Sequence, residues 1–214
     1  MNIGEVTNHR IRLLIVDDHS VIRCGLRAIF GVHRDIEVVG EAADAESAAR
    51  FVSRTHCDVA LVDLRLAESS GMQVLRALHE LRPSCRAVML TNYATERDVK
   101  EAADAGAHGY VMKTADPGEI VNAVRAVHTG QRYFSSHAAA LLADAKHAPS
   151  LTGREQQVLE LLVPGNRNRT IAGMLGLAEE TVKGHVKEIL IKLGVRDRTG
   201  AATAAIRRGL VRID

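Results

Sequence analysis

Aromatic residues are scarce in this sequence: they make up 3% of the chain, and tryptophan is absent. A protein that holds single-stranded nucleic acid mainly by base stacking needs aromatic side chains, so that function is not expected. No apolar run approaches the roughly 20 residues of a membrane-spanning helix. The N-terminal stretch MNIGEVTNHR also lacks the apolar core of a secretory signal. We therefore expect a cytoplasmic protein with no membrane partner.

Cysteine is equally scarce. The three cysteines, Cys24, Cys57 and Cys85, are scattered and form no CxxC motif. The ten histidines show no paired spacing of the kind that binds metal. We expect reduced, structural thiols.

Charge is unevenly distributed along the 214 residues, which are enough for two ordinary domains. Residues 1–134 contain 16 basic and 18 acidic residues, a net charge of −2, whereas residues 150–214 contain 11 and 7, a net charge of +4. The basic C-terminal part suggests contact with nucleic acid, although a solvated basic surface gives the same excess.

Short apolar runs alternate with amphipathic segments in the first part of the chain. The predicted strands are 11–17, 36–40, 58–63, 86–91 and 108–112. The predicted helices are near 20–31, 45–54, 72–81, 95–105 and 117–129. This alternation is typical of a parallel sheet covered by helices on both faces. We predict a flavodoxin-like α/β fold with five parallel strands in the order 2-1-3-4-5.

Polar residues follow four of these strands at their carboxyl ends: Asp17 and Asp18, Asp63, Thr91, and Lys113. Ligands of open parallel sheets bind at that edge, where the strand order reverses. Three neighbouring carboxylates repel one another, and Mg²⁺ with its oxygen ligands relieves the conflict. A hydroxyl and an ammonium beside them suit a phosphoryl group, so the pattern indicates phosphoryl transfer onto a carboxylate.

Each of these residues also has an ordinary interpretation when it is considered alone. An Asp pair after a strand can cap a helix, where the helix dipole favours carboxylates. Thr91 can simply end its strand, and Lys113 can be a solvated lysine. The combination of all four strand ends favours the phosphoryl site.

The motifs LLIVDDH, VALVDLRL…SG, VMLTNY and GAHGYVMK resemble the receiver domain of two-component response regulators, over about residues 11–129. The resemblance implies that Asp63 accepts a phosphoryl group from a sensor histidine kinase. It further implies that Asp18 and Asp63 bind Mg²⁺ directly, that Asp17 binds it through water, and that the Arg65 backbone carbonyl is a further ligand.

The same resemblance implies that Thr91 and Lys113 contact the phosphoryl oxygens and that Tyr110 is the aromatic residue that reports phosphorylation. Two positions depart from the usual receiver pattern. Ala67 stands where receivers usually have proline, so the loop loses one fixed φ angle. Asn92 stands where alanine is usual, and both departures bear on the rate and lifetime of phosphorylation.

The C-terminal part has four helical segments, near 152–163, 168–175, 179–193 and 198–210, with Gly165, Gly176 and Gly194 as stops. Residues 1–10 are an expected N-terminal tail, and residues 130–149 an expected linker with a short helix that Pro149-Ser150 ends. Two helices around Gly176 form a candidate helix-turn-helix in an all-α domain at 150–214.

The third segment, 179–193, determines the functional interpretation. Its apolar stripe leaves Lys183 and Lys187 on the opposite flank, one turn apart. By periodicity alone, a solvated amphipathic helix with a Glu180–Lys183 pair is slightly favoured.

The motif LTGREQQVLELL…NRTIA…TVKGHVKEILIKLGV resembles the LuxR-type helix-turn-helix of NarL/FixJ regulators. The resemblance implies a recognition helix at 179–193 in the major groove of double-stranded DNA. It implies a homodimer through the last helix, at Ala201, Ala205 and Ile206. The residues it assigns to DNA contact are Lys183, Lys187, Thr181, Gly184, Arg167, Asn168 and Arg169, with Asn168 capping its helix.

Three positions of this domain depart from the pattern. Gly184 replaces a side chain that touches bases, Ala178 replaces a capping Ser or Thr, and Arg167 replaces a small residue. Each of the first two changes costs about 1 kcal/mol of helix stability. We hypothesise a marginal recognition helix that relies on phosphate contacts, with specificity from half-site spacing and DNA shape.

The leading prediction is therefore a phosphorylation-dependent transcription regulator that binds a two-fold DNA site as a dimer. It is not an enzyme beyond Mg²⁺-dependent self-phosphorylation from a phosphodonor and slow autodephosphorylation. A regulator that works without phosphate is the alternative. An aspartyl-phosphate phosphatase of the haloacid dehalogenase type is disfavoured, because that class needs an aspartate where this chain has Arg65.

Overall fold

A computed structural model describes residues 10–147 and 151–211. The chain divides into two compact units, residues 10–94 with 101–139 and residues 95–100 with 140–147 and 151–211. Nearly all of the predicted tail and the predicted stop at Pro149-Ser150 lie outside the described residues. Within the described ranges, no helix is both long enough and apolar enough to span a bilayer.

The first unit is built on a parallel sheet. Its strands are β1 (Ile11–Val16), β2 (Ile36–Ala42), β3 (Val59–Asp63), β4 (Arg86–Thr91), β5 (Gly109–Met112) and β6 (Tyr133–Phe134). The helices that alternate with these strands along the chain are α1 (Ser20–Gly31), α2 (Ala45–Arg54), α3 (Gly71–Leu81), α4 (Glu96–Asp104) and α5 (Pro117–His128), and residues 96–100 of α4 belong to the second unit. The predicted α/β alternation is confirmed, with element bounds that differ from the predicted ones by two residues at most.

The strand order is β2-β1-β3-β4-β5-β6, and every pairing is parallel. The predicted order 2-1-3-4-5 is correct for five strands, but a sixth was missed. Tyr133 and Phe134 pair with Gly109 and Tyr110, inside the segment predicted as a linker. Two residues are too few to show an alternating pattern, so their strand depends on the edge that β5 offers.

The short helix expected in that segment is present as α6 (Ser136–His147).

Burial explains why the central strands are apolar along their whole length. All five residues of β3 are buried, as are five of six in β1. Leu13, Ile15 and Leu61 belong to a core cluster with Phe30 of α1 and Val124 of α5. Because helices cover the faces of a parallel sheet, the strands need no alternating polar residues.

The second unit is helical. Its helices are α7 (Gly153–Leu162), α8 (Asn168–Leu175), α9 (Glu179–Leu193) and α10 (Arg198–Arg207), as predicted to within three residues. Gly176 and Gly194 end α8 and α9 with φ of 64° and 68°, a left-handed conformation that glycine adopts without steric cost. The shared core contains Leu159, Ile171 and Val182.

One buried ion pair joins two of these helices. Glu155 of α7 is 5% exposed, and Lys192 of α9 donates to both of its carboxylate oxygens, at 2.7 and 2.9 Å. The same carboxylate accepts from the Thr152 N–H at 2.7 Å and so completes a capping box at the start of α7. Together, Lys192 and Thr152 hold the pKa of Glu155 below its ordinary value of 4.5.

We expect Glu155→Gln to lower the free energy of unfolding of the second unit by about 2 kcal/mol at neutral pH, because Lys192 loses its charged partner. Amide hydrogen exchange in α7 and α9, measured by mass spectrometry on the full chain, should accelerate by roughly 30-fold. Glu160→Gln, on an exposed position of the same helix, is the control, and its exchange should change little.

The pair also has a defined pH dependence. Since the pKa of Glu155 is depressed in the folded chain, its stabilisation is complete above the unfolded value near 4.5 and is lost as the pH falls through the folded value. The difference between the wild type and Glu155→Gln should therefore shrink in acid. An equal difference at pH 7 and at about pH 3 would show that the charge of Glu155 contributes nothing.

Candidate phosphoryl site and DNA-reading helix

The strand register brings together residues that are distant in sequence. Val16 of β1 lies beside Val62 of β3, so the next residues, Asp17 and Asp63, emerge side by side at the carboxyl edge of the sheet. Lys113 follows β5, and its Nζ lies 2.5 Å from Asp17 Oδ2 and 2.6 Å from Asp63 Oδ2. These three predicted residues form one buried cluster, with side chains exposed by 6% or less.

Asp18 lies at the rim of this cluster, with its side chain 21% exposed. Its Oδ2 accepts a hydrogen bond from the Ala67 backbone N–H at 3.2 Å. A proline at position 67 has no N–H to donate. The departure at Ala67 therefore supplies a direct backbone contact to Asp18.

The sequence analysis missed His19 and Arg23. His19 Nδ1 lies 2.9 Å from Asp18 Oδ1 and 3.2 Å from Asp17 Oδ1, and the Arg23 guanidinium donates to the Asp17 carbonyl at 2.6 Å. The signal for His19 was its place directly after the Asp pair. Arg23 lies about one helical turn after His19, and this spacing brings its guanidinium back towards Asp17.

Ligand atoms of Asp17, Asp18, His19 and Asp63 all lie within 4.8 Å of one another. Asp17 Oδ2 and Asp18 Oδ1 are buried and take part in no well-aligned hydrogen bond, although Lys113 and His19 lie close to them. Buried carboxylate oxygens without such bonds are costly unless a cation neutralises them. This donor set fits a hard divalent cation such as Mg²⁺, which prefers oxygen ligands.

Burial determines the electrostatics of the site. It raises the pKa of Asp63, against the opposing effects of Lys113 and the Arg65 N–H. Burial alone lowers the pKa of Lys113, but the close contacts of its ammonium with the Asp17 and Asp63 carboxylates outweigh burial, and the pKa is raised overall. Lys113 is therefore firmly charged, yet one ammonium faces three carboxylates.

The loop after β3 fixes the orientation of Asp63. Its Oδ1 accepts from the Arg65 N–H at 3.1 Å, and Arg65 forms an isolated backbone bridge with Ser70. Gly71 donates to the Leu64 carbonyl at 3.0 Å and lies so close to the Asp63 carbonyl that a Cβ there would overlap it. The Ser-Gly pair of the motif thus allows α3 to begin directly against β3.

Thr91 and Tyr110 occupy the predicted strands and are both buried. The Thr91 hydroxyl donates to the Tyr93 carbonyl at 2.9 Å, and the Lys113 N–H donates to the Thr91 carbonyl at 2.7 Å. A backbone hydrogen bond thereby connects Thr91 to Lys113, the residue whose side chain pairs with Asp63. The roles of Thr91 and Tyr110 in switching, and of the Arg65 carbonyl as a ligand, stay predictions.

In the second unit, α8 and α9 form the predicted helix-turn-helix. All but one of the residues predicted to contact DNA are exposed; the exception is the half-buried Asn168. Val182 and Ile189 of α9 are buried on the other side of that helix. The Glu180–Lys183 ion pair of the ordinary interpretation is present at 2.9 Å, on an exposed surface where such pairs are weak.

The helix caps were predicted with mixed success. Ala178 is the N-cap of α9 and makes no side-chain hydrogen bond, so the predicted loss of a cap is confirmed. The predicted cap at Asn168 is wrong. Arg167 is the N-cap residue of α8, without a side-chain bond, and Asn168 is already the first helical residue. Its Oδ1 instead lies 3.5 Å from Arg198 Nη1 of α10.

The predicted dimer surface on α10 also needs correction. Ala201 and Ala205 are fully buried in the core of their own unit, so they cannot contact a second copy. Ile206 is 42% exposed and is the one predicted dimer residue that stays available. The resemblance assigned the last helix as a whole, and an alanine-rich sequence has too weak a hydrophobic period to separate its buried side from its exposed side.

An acidic cluster at the carboxyl edge of a doubly wound sheet, followed by a helix-turn-helix unit, is typical of a two-domain response regulator. Residues 13–125 match the family model of the response regulator receiver domain, and residues 149–205 match that of the bacterial regulatory proteins of the luxR family. The chain belongs to the response regulators that combine these two domains. It is a DNA-binding regulator of the two-component type.

Several known proteins are similar along nearly the whole chain. DevR/DosR of Mycobacterium tuberculosis, a DNA-binding transcriptional activator, is 37% identical over 91% of this chain and 94% of its own. YhcZ of Bacillus subtilis, a transcriptional regulatory protein, is 38% identical over 94% and 97%. Both relatives are described as regulators of transcription.

Solved structures agree with the fold. The response regulator ChrA of a heme-sensing two-component system is 36% identical, with a TM-score of 0.55 over 94% of this chain and 98% of that one. RcsB of Salmonella typhimurium has a TM-score of 0.75 over 91% and 98%, at 22% identity. The second likeness supports the fold alone.

The bare cap of α9 generates a prediction. We expect Ala178→Ser to stabilise the first turn of α9 by about 1 kcal/mol, because the hydroxyl accepts from a free backbone N–H. Exchange of the first amides of α9 in the full chain should slow by roughly fivefold. Ala178→Val, which adds bulk without a cap, is the control. Equal exchange rates in the two variants would contradict the assignment.

Proposed function

We propose that this chain is a phosphorylation-dependent transcription regulator with Asp63 as its phosphoacceptor. The observation that carries the proposal is the buried contact of Lys113 with both Asp63 and Asp17, at 2.6 and 2.5 Å. The Lys113 ammonium in this position can bind phosphoryl oxygens. The Asp63 carboxylate lies at the carboxyl edge of the sheet. The proposed donor is the phosphohistidine of a sensor kinase in the cytoplasm.

The residues that would hold Mg²⁺ are Asp17, Asp18, Asp63 and the Arg65 carbonyl. When bound, the ion supplies positive charge that stabilises the transferring phosphoryl group. One Asp63 oxygen attacks phosphorus, and the bond from phosphorus to the donor breaks as the acyl phosphate forms. Lys113 then pairs with a phosphoryl oxygen instead of the free carboxylate. Apart from this reaction and the slow hydrolysis of its product, we propose no catalysis.

Lys113 also offers a physical basis for switching. Its Nζ lies against Asp63, while its backbone N–H donates to the carbonyl of Thr91. A phosphoryl group that draws the ammonium away therefore changes the surroundings of Thr91, and through β4 and β5 those of Tyr110. Phosphorylation shifts the protein between two states only as far as those states differ in their interaction with the phosphoryl group.

For the second unit we propose that α9 lies in the major groove and reads double-stranded DNA. Lys183 and Lys187 are exposed one turn apart, opposite the buried Val182 and Ile189. We further propose a homodimer on a two-fold site after phosphorylation, with Ile206 on α10 in the contact. With Gly184 leaving open space and Ala178 leaving the helix uncapped, phosphate contacts supply most of the affinity.

The first prediction concerns the acceptor. Incubation of the full chain with Mg²⁺ and a small acyl phosphate should add the mass of one phosphoryl group and raise the dimer fraction. Asp63→Asn should gain nothing, because its amide is not a nucleophile. The control is Asp58→Asn. Residue 58 lies just before β3, at the end of the strand opposite Asp63, and an asparagine there still accepts the hydrogen bond from the Arg12 N–H. This variant should be phosphorylated normally.

Each other outcome has a clear meaning. A wild type that stays unmodified yet binds DNA would support the alternative, a regulator that works without phosphate. An Asp63→Asn variant that still gains the phosphoryl mass would assign the acceptor to another residue.

The second prediction concerns DNA. We expect Lys183→Ala and Lys187→Ala each to weaken binding of the phosphodonor-treated chain to duplex genomic fragments. Each should also make the slope of log K against log salt shallower by about one. Arg54→Ala removes one exposed charge from α2 in the first unit and should leave the slope unchanged. A shallow wild-type slope with strong sequence selectivity would contradict reliance on phosphate contacts.

A further inference from the structure

Two cysteine side chains meet at the amino edge of the sheet, opposite the acidic site. Cys57 precedes β3 and Cys85 precedes β4, whose other ends are Asp63 and Thr91. Their sulfur atoms lie 2.8 Å apart, and the residues are 0% and 5% exposed. The sequence separates them by 28 positions and gave no sign of this contact.

The backbone on both sides of the pair is held in place. The Arg86 N–H, next to Cys85, donates to the carbonyl of Asp58, next to Cys57, at 2.9 Å. The Cys85 N–H donates to the Arg82 carbonyl at 2.9 Å. A disulfide bond is about 2.05 Å long, so the two sulfur atoms are within about 1 Å of bonding distance. The strand ladder therefore maintains the approach of the two thiols.

The surroundings make the two thiols unequal. The hydrogen bond with Cys85 lowers the pKa of Cys57, and the nearby Arg82 guanidinium acts in the same direction. The same hydrogen bond, together with burial, raises the pKa of Cys85. The thiolate is the reactive form of cysteine, and either sulfur of the pair can donate the hydrogen bond between them, so each cysteine is placed to resolve a modification of the other.

We propose that Cys57 and Cys85 form a reversible dithiol–disulfide pair, a site of oxidative modification by peroxides. The thiolate of one cysteine attacks one peroxide oxygen, the O–O bond breaks, and a sulfenic acid and water form after proton uptake. The sulfur of the other cysteine then attacks the sulfenic sulfur, the S–O bond breaks, and a second water leaves. In total, the two thiols lose two protons and two electrons, and one hydrogen peroxide is reduced to two waters.

Placement favours this outcome over further oxidation of a single sulfur. A sulfenic acid on either cysteine has its resolving thiol already in contact, so disulfide formation is intramolecular. Cys24, by contrast, is exposed on α1. Disulfides in reducing compartments are typically transient and redox-sensing. The oxidised pair would covalently join the starts of the two strands that end in Asp63 and Thr91.

The test uses the full chain with Cys24→Ser, treated with hydrogen peroxide under native conditions, then denatured and alkylated. We expect the mass to fall by two hydrogens, both thiols to escape alkylation, and peptide mapping to find one Cys57–Cys85 cross-link. Dithiothreitol should restore two alkylatable thiols. Cys57→Ser and Cys85→Ser in the same background should each lose the cross-link.

Cys24 serves as an internal reporter in the wild type. If peroxide oxidises Cys24 while Cys57 and Cys85 still alkylate as two free thiols after denaturation, the pair is structural only and the proposal is wrong. Oxygen addition to one sulfur that dithiothreitol cannot reverse would overturn it equally. Neither readout depends on the folding of a Cys57 or Cys85 variant, because the chain retains both cysteines.

Discussion

Three carboxylates and one ammonium meet at the carboxyl edge of the sheet, and their charges cannot balance without help. Lys113 pairs with Asp17 and Asp63 at once, yet buried oxygens of Asp17 and Asp18 still lack well-aligned hydrogen bonds. Such a cluster is costly, because each buried and uncompensated charge costs several kcal/mol. The excess of negative charge suits a site that binds a divalent cation.

The rest of the first unit keeps these groups in position. The strands β1 and β3 are buried almost throughout, so their ends are rigid, and the register between them sets Asp17 beside Asp63. The close approach of Gly71 to the Asp63 carbonyl lets α3 start against β3. Ala67 adds a backbone hydrogen bond to Asp18 that proline at the same position cannot make.

The second unit is stabilised differently, by a helical core and one buried ion pair. Glu155 and Lys192 join α7 to α9 and so fix the helix that carries Lys183 and Lys187. The N-cap of α9 makes no side-chain hydrogen bond, and a Cβ added at Gly184 would meet open space. The exposed Lys183 and Lys187 therefore lie on a helix that Lys192 anchors near its C-terminal end and that has no side-chain cap at its start.

Much of this protein is determined by sequence alone. Strand and helix periods, glycine stops and the polar residues after each strand predicted the fold and the Asp17, Asp63 and Lys113 cluster, because those signals are local. Tertiary structure decided the rest. Tyr133 and Phe134 form a strand because they pair with the edge of β5. Ala201 and Ala205 are buried in the core of their unit. The pairing of β3 with β4 places Cys57 next to Cys85. These contacts depend on residues that are far apart in the sequence, so no local sequence pattern predicts them.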